Sequence, residues 1–431
     1  MTLSGRVPLL VLVGVVPVVA WPLPVVVLGW AVLVAVLCAV DLALAVGPRT
    51  VLISRDLPAS VRLTQQATSR LTLTNPGPRT GRLQVRDAWP PSASPSGERP
   101  RLVLKPGESL RQVTRLVPTR RGDLAAGKVT IRSFGPLGLA ARQQSVDVPG
   151  LLRVLPEFRS RVHLPYRLSR LRELDGQAAV HVRGQGTEFD SLREYAIGDD
   201  VRSVDWRASA RAQKTMVRTW RPERDRHILL VLDCSRWSAG RIADQTRLDA
   251  GIETCLLMGA LGAASGDRMS LLVADRRVLS RLPGQGRSVG VLASFANALS
   301  LAEPSLVEAD WSLLAAEIDR LCNQRSLVIL VTGLDPALYA EGMGTVLPVL
   351  AHDHRVMIAH VTDPSETARL RLSADRGQVY DAAASARLDL ATTTLAARVA
   401  QLGVEVVRAD PDRLAPAVCD AYLALKAAGR L

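Results

Sequence analysis

The sequence predicts a multi-domain fold: an N-terminal transmembrane helical hairpin, an antiparallel β-sandwich and a C-terminal doubly wound α/β domain. Three observations predict it. Residues 7–40 form 34 consecutive uncharged, mostly apolar positions. Between Val51 and Ile131, short runs alternate apolar with polar at period two, and from His227 onward unbroken apolar runs alternate with stretches of helical period. The implied segments are 1–48 (membrane anchor), 49–150 (sandwich), 151–226 (a charged linker or insertion) and 227–431 (the α/β domain). With 431 residues and 48% hydrophobic content the chain has material for about three domains, which excludes a disordered chain or a disulfide miniprotein. Its five cysteines show no CxxC spacing and read as reduced.

The anchor comes first. One membrane span needs about 20 residues, so the apolar run is too long for one. Trp21-Pro22-Leu23-Pro24 interrupts it, because proline removes helix donors and biases its predecessor toward extended geometry. Two helices are expected, about Val7 to Ala20 and Val25 to Val46. Arg6 precedes the pair, and Arg49 and Arg55 follow it. By the positive-inside rule both ends face the cytoplasm, giving a multi-pass cell-membrane protein with two spans and cytoplasmic soluble domains. A signal peptide cleaved near Ala20 is the competing reading, but cleavage there would leave the second apolar run. A single span with the body outside is the third.

In the sandwich segment seven runs read as strands: 51–53, 61–64, 70–74, 82–85, 101–104, 113–117 and 129–131. Turn clusters such as Asn75-Pro76-Gly77-Pro78 separate them, the pattern of an antiparallel sandwich. Beyond Pro156 the alternation fades into arginine and carboxylate. Glu188, Asp199, Asp200 and Asp205 suggest an acid/base pair, yet every carboxylate has arginines a few residues away, which hold it ionised. A salt-bridged structural network is therefore the expected reading. Val201 to His227 carries seven Arg and one Lys against three acids, with Trp206 and Trp220 interleaved. Such a stripe can attract anionic lipid or, failing that, single-stranded nucleic acid, although an internally paired face is the simpler expectation.

From Ile228 the elements alternate. Ile228 to Leu232 is continuously apolar, as a strand covered on both faces must be. It runs into Asp233-Cys234-Ser235-Arg236-Trp237-Ser238; a later strand, Leu327 to Val331, runs into Thr332-Gly333-Leu334-Asp335. Doubly wound sheets bind ligands at the carboxyl ends of their strands. That rule selects Asp233, Ser235 and the loop from Thr332 to Asp335.

A buried strand ending in Asp-x-Ser resembles the start of the metal-ion-dependent adhesion site of von Willebrand A domains. Before it stands Arg193-Glu194-Tyr195-x-x-Gly198-Asp199-Asp200-x-Arg202-x-x-Asp205-Trp206-x-x-Ser209-Ala210-Arg211. With Arg120-Arg121-Gly122, Gly135-Pro136-Leu137-Gly138-Leu139 and the closing Ala421 to Lys426, the chain resembles the bacterial family called domain of unknown function 58 (DUF58). The resemblance implies a membrane-anchored, non-enzymatic protein with a von Willebrand A-like domain, working with a MoxR-type AAA+ ATPase on a client protein.

A full adhesion site of that kind reads Asp-x-Ser-x-Ser, adds a Thr and a later Asp, and suits Mg²⁺. Asp233 and Ser235 match as metal positions, whereas Trp237 stands where the second Ser belongs and Gly333 where the last Asp would follow its strand. The expectation is a partner-binding site that has lost its ion, with Trp237, Thr332 and Asp335 on its surface and no cofactor. No Ser-His-Asp set, Cys-His pair or phosphate loop supports the alternative of an envelope enzyme.

Overall fold

The computed structural model describes residues 2–97, 101–181, 188–196, 199–221, 226–285, 290–365 and 376–431, in two units, Met1–Glu157 and Phe158–Leu431.

In the first unit, helices Arg6–Val13 and Val15–Ala20 fold back along helix Pro24–Leu44. The reversal falls at Trp21-Pro22-Leu23, and Pro24 opens the long helix, where its missing N–H costs nothing. Trp30 holds the pair together. Its indole Nε1 donates to the Leu10 carbonyl at 3.2 Å, and its ring lies on Gly14, where a Cβ would collide with it. Pro24–Leu44 is long and apolar enough to cross a membrane and exposes most of its side chains. The shorter arm, Arg6–Ala20, spans only about 22 Å at 1.5 Å per residue. A second helix of suitable length and composition, Arg247–Ser265, is mostly buried and belongs to a protein core.

Asp41 ties the long helix to the sandwich. The only acidic residue before Pro48, it is fully buried, and its carboxylate accepts from the backbone N–H groups of Leu137 (2.7 Å), Leu139 (2.7 Å) and Ala140 (2.9 Å). Gly135 opens this turn because a Cβ there would overlap Asp41. Arg6 donates to the Leu137 carbonyl at 2.8 Å, and Arg142 donates to Leu42 at 2.9 Å near the helix's C-terminal end. Thr2–Leu3 also pairs with Ala140 and Ala141. Both ends of the helical hairpin are thus held by the same edge of the sandwich.

The sandwich faces a five-stranded sheet, in the order Thr2–Leu3, Ala140–Val146, Val129–Phe134, Gly81–Arg86, Arg101–Leu104, against the sheet Leu52–Asp56, Ala67–Thr74, Ser109–Leu116. Leu71 and Leu73 meet Leu83, Val85 and Ile131 between them. Two expectations are corrected here. The sandwich is not wholly antiparallel: Leu151–Leu155 pairs parallel to Ser60–Arg62, and antiparallel to Gly122–Ala125, so the sandwich runs past residue 150. Arg55, expected among the cations flanking the membrane, is instead buried in an ion pair with Asp87 at 2.5 Å, which also accepts from Ser69 Oγ and Trp89 Nε1. A charge taken out of water needs such partners.

In the second unit a six-stranded sheet runs Val278–Gln285, Arg268–Ala274, His227–Asp233, Leu327–Val331, Arg355–Val361, Glu405–Ala409. Numbered along the chain, that order is 3-2-1-4-5-6. All neighbours are parallel except the edge hairpin of Val278–Gln285 with Arg268–Ala274. Every residue of His227–Asp233 is buried, as its uninterrupted apolar sequence requires. On one face Leu229 and Val231 pack with Trp311, Leu314, Leu347 and Val399 from helices Trp311–Leu321, Gly344–Asp353 and Arg376–Gln401. Helix Arg247–Ser265 packs closely with the closing helix Pro411–Ala427; the former starts at a Thr246–Asp249 capping box and stops at left-handed Gly266. Tyr422 on the closing helix donates to Asp267 at 2.5 Å. Burial raises the Asp267 pKa from the ordinary carboxylate range.

Asp41→Ala should destabilise the first unit, because it leaves three backbone N–H groups without their acceptor, each at about 1–3 kcal/mol where water cannot replace it. Asp41→Asn, which keeps one acceptor oxygen, should lie between that variant and the parent. Thermal unfolding of the full chain in detergent reads this order, and equal melting of all three would refute the role given to the carboxylate.

Candidate functional site

Adjacent parallel strands His227–Asp233 and Leu327–Val331 are where the strand order reverses direction, the position at which sheets of this class place their ligands. Asp233 closes the first strand and Thr332 follows the second. The Asp233 carboxylate is buried. Its Oδ1 accepts from the Ser235 backbone N–H at 2.8 Å and its Oδ2 from Thr332 Oγ1 at 2.6 Å. Burial raises its pKa; the Thr332 and Ser235 hydrogen bonds oppose that shift, and the charge of Asp275, beyond the neighbouring strand, adds to it. The Ser235 hydroxyl sits close enough to help hold the charge but has no aligned hydrogen-bond partner.

Trp237 lies in the short helix Arg236–Ala239. Its ring stacks at 36° on His360, with centroids 5.4 Å apart, and the Arg247 guanidinium lies 4.7 Å from its centroid. The indole rests directly on Gly333, where any Cβ would sit inside the ring. The two departures seen in the sequence are therefore one packing event. The ring in place of the second Ser requires the missing side chain at 333, and it fills space from which a carboxylate could reach toward Asp233. Asp335 is turned to another task, capping the Ala337 N–H at 2.7 Å. Both Asp233 oxygens already hold protein donors. These residues do not fit an octahedral Mg²⁺, which demands near-ideal geometry and several open oxygen ligands. Among the described residues, no three His, Cys, Asp or Glu side chains gather closely enough to hold a metal ion.

His360, absent from the sequence reading, proves central to the loop. It interrupts the apolar strand Arg355–Val361, and a buried polar group there needs a partner. Its Nδ1 accepts from the Leu334 backbone N–H at 2.9 Å, fixing the loop after Thr332. Burial first, and then Arg408 and Arg247, lower its pKa to about 3, so the ring stays neutral and keeps that acceptor.

The charged segment builds a separate arm, a hairpin of Glu188–Glu194 with Met216–Arg221. Arg193 grips Asp199 bidentately at 2.7 and 2.5 Å, Asp199 also accepts from the Ala196 N–H, and Asp200 caps Arg202 N at 3.0 Å. Asp205 caps helix Trp206–Ala212 and pairs with Arg218 at 2.8 Å; the Ala208 and Arg218 bonds lower its pKa. Each of these carboxylates serves as a structural cap or ion-pair partner. Trp206 is 71% exposed, and Tyr195, Arg202 and Arg211 lie on the surface with it. Gly198, Arg224 and the side chains of Trp220 and Arg221 lie outside the described residues.

Residues 191–402 match the family described as Protein of unknown function DUF58. The chain is 25% identical over 195 residues to an uncharacterized protein of Mycobacterium tuberculosis, covering 45% of this chain and 60% of that protein. It is also 25% identical over 146 residues to the uncharacterized protein YeaD of Bacillus subtilis, covering 33% of this chain and 35% of YeaD. The chain thus spans 60% or less of the length of these relatives. Among solved structures, the FixG-related protein from Vibrio parahaemolyticus is 11% identical over 24% of this chain and 96% of its own, with a TM-score of 0.18.

Two outcomes test the geometry. Gly333→Ala should destabilise the second unit by roughly 1–3 kcal/mol through overpacking. Adding Trp237→Ala should recover part of that loss, a coupling that a double-mutant cycle of melting free energies detects and strict additivity would refute. For His360 the folded pKa lies below the unfolded value of about 6.5. Its neutral form therefore contributes stability that is complete above pH 6.5 and is lost as pH falls toward 3, at about 1.4 kcal/mol per pH unit. His360→Asn, which can still accept from Leu334, should flatten that slope in pH-dependent unfolding; an unchanged slope would contradict the assignment.

Proposed function

We propose that this protein is a membrane-anchored, non-enzymatic assembly factor whose α/β unit, of von Willebrand A type, captures a partner protein at the carboxyl ends of its strands. The observation that carries the reading is the half-exposed Trp237 ring, seated on Gly333 over the buried Asp233–Thr332 pair. An aromatic held rigidly by its surroundings is the usual anchor of a protein interface. Two further features support the fold assignment: the 3-2-1-4-5-6 strand order and the antiparallel edge strand. A MoxR-type AAA+ ATPase as partner, acting on a client, is part of this proposal through the sequence resemblance alone; the matched family is described only as one of unknown function.

For the anchor, the reading is a two-span hairpin with the soluble units in the cytoplasm. It is supported by Pro24–Leu44 as the principal span and by the attachment of both hairpin ends to one edge of the sandwich. The short first arm would cross by tilt or local thinning of the bilayer. Arg6, Arg49 and Arg142 remain as cations around the hairpin base once Arg55 is assigned to the sandwich interior.

A second reading, an electrostatic contact with anionic lipid, is favoured by the exposed Trp206 among exposed Arg202, Arg207 and Arg211. Salt-sensitive binding of the full chain to phosphatidylserine vesicles, lost in the triple arginine-to-alanine variant, would support it.

Crosslinking in native membranes tests the principal reading. Trp237→Ala and Asp233→Asn should each cut recovery of the crosslinked partner at least tenfold while the variant still melts cooperatively; unchanged recovery removes the strand-end surface from consideration. Calorimetry with Mg²⁺ should show no tight binding, and submicromolar affinity would restore an intact metal site. Cysteines placed after Pro48 should be protected from membrane-impermeant label in whole cells, whereas periplasmic labelling would invert the topology.

A further inference from the structure

In the turn Gly135-Pro136-Leu137-Gly138-Leu139, which receives Asp41, every backbone polar group of residues 135–140 is partnered within the chain. Asp41 accepts from the N–H groups of Leu137, Leu139 and Ala140. Gly138 N donates to the Gly135 carbonyl at 3.2 Å, and Gly135 N to the Ala140 carbonyl at 3.4 Å. Of the remaining carbonyls, Pro136 accepts from Arg82 at 2.5 Å, Leu137 from Arg6 at 2.8 Å, Gly138 from Ser4 Oγ at 2.6 Å and Leu139 from Ser4 N at 2.8 Å. A turn at a water-facing surface can leave such groups to solvent, whereas non-helical backbone at membrane depth must satisfy them inside the protein.

The side chains of this edge are apolar. Leu139 is buried in one cluster with Val7 and Val34 of the two hairpin arms, while Leu3 and Leu137 are 67% and 45% exposed. Depth points the same way. Trp21, 65% exposed at the reversal, suits the far membrane interface. From Pro24 to Asp41 there are 41 − 24 = 17 rises of 1.5 Å, about 26 Å, against a hydrocarbon core of about 30 Å. With Pro24 at one boundary, Asp41 and the turn that holds it lie inside the other, and tilt carries them deeper. Three exposed arginines stand beside the turn. Arg6, Arg82 and Arg142 each give one N–H inward, to the carbonyls of Leu137, Pro136 and Leu42, and keep others for acceptors outside the protein. Long stems with charged heads reach from hydrocarbon to phosphate in this way.

We propose that the turn 135–139 is a membrane-embedded wedge, with Leu3 and Leu137 in the acyl region beneath the headgroups and Arg6, Arg82 and Arg142 on lipid phosphates. The assignment rests on the reading of Pro24–Leu44 as a span. It makes the edge of the sandwich part of the membrane structure, held at a fixed depth, where a flexible tether would leave the sandwich free in water.

Spin-label depth in the full chain, held in nanodiscs of phosphatidylcholine and phosphatidylglycerol, provides the test. The background is Cys38→Ala, since the other four cysteines are buried. Labels are placed singly through Leu137→Cys, through Val32→Cys on the exposed face of the long helix, and through Ser145→Cys, about 17 Å along its strand from Ala140. Leu137 gives only its backbone to Asp41 and Arg6, so its exposed side chain can change without breaking those bonds. The label at 137 should resemble the one at 32 in favouring collision with oxygen, and should be roughly tenfold less accessible than the one at 145 to polar nickel ethylenediaminediacetate. Nickel accessibility at 137 equal to that at 145, or a label shielded from both reagents as in a protein contact, would overturn the proposal. If the label at 32 still reports lipid, that outcome removes the wedge and leaves the anchor; if the label at 32 is also open to nickel, both fall.

Discussion

A carboxylate removed from water must find partners or lose its charge, and the architecture of this chain is organised by where it satisfies that demand. Asp41 does so with three backbone N–H groups of the turn from Gly135, which joins the apolar helix to the sandwich. Asp87 does so with Arg55, Ser69 and Trp89 in the sandwich interior. Asp233 draws Ser235 and Thr332 together across two strands, and Asp267 receives Tyr422 from the closing helix. Each lies at a joint between elements. Apolar contacts tolerate sliding, whereas a buried carboxyl group with directional donors admits one arrangement, so these four residues set the relation of the elements around them.

At the strand end the same demand is met in a way that excludes another use. Thr332 and Ser235 occupy the Asp233 oxygens and the Trp237 ring occupies the space over Gly333, so an indole stands beside the carboxylate where a metal site would need open oxygen ligands. His360 stabilises this state from below, because its low pKa keeps Nδ1 available to the Leu334 N–H. In the proposed complex a partner meets surface shape rather than a bound ion.

Much of this was legible in the chain because it follows from patterns with a fixed period. The continuous apolar run before Asp233 requires a strand covered on both faces, and the Trp21-Pro22-Leu23-Pro24 break forces a reversal between helices. The parts that escaped depend on tertiary partners. Gly122–Ala125, Ala140–Val146 and Leu151–Leu155 carry weak alternation and become strands through their neighbours. Arg55 reads as a flanking cation until Asp87 is placed beside it. In the acidic stretch around Asp199 and Asp205 the nearby arginines point to ion pairing, and Arg193 and Arg218 are the partners. His360 left one signal, a polar residue within a buried strand.

Charge is divided unevenly within the second unit. The arm between Val201 and His227 holds an excess of arginine, while Asp233, Asp275, Glu308, Asp310, Asp335 and Glu341 lie at or beyond the carboxyl ends of the strands, most of them exposed or half-exposed. Long-range attraction depends on local potential more than on net charge, and in water it is screened beyond about 8 Å at physiological salt. A partner approaching the strand end therefore meets an acidic surface despite the basic chain. Exposed rim charges of this kind mainly raise the rate of encounter and set orientation, whereas residence depends on the desolvated centre. In the proposed complex that separates two roles: the acidic residues at the strand ends align an approaching basic segment, and Trp237 on Gly333 provides the apolar contact that holds it.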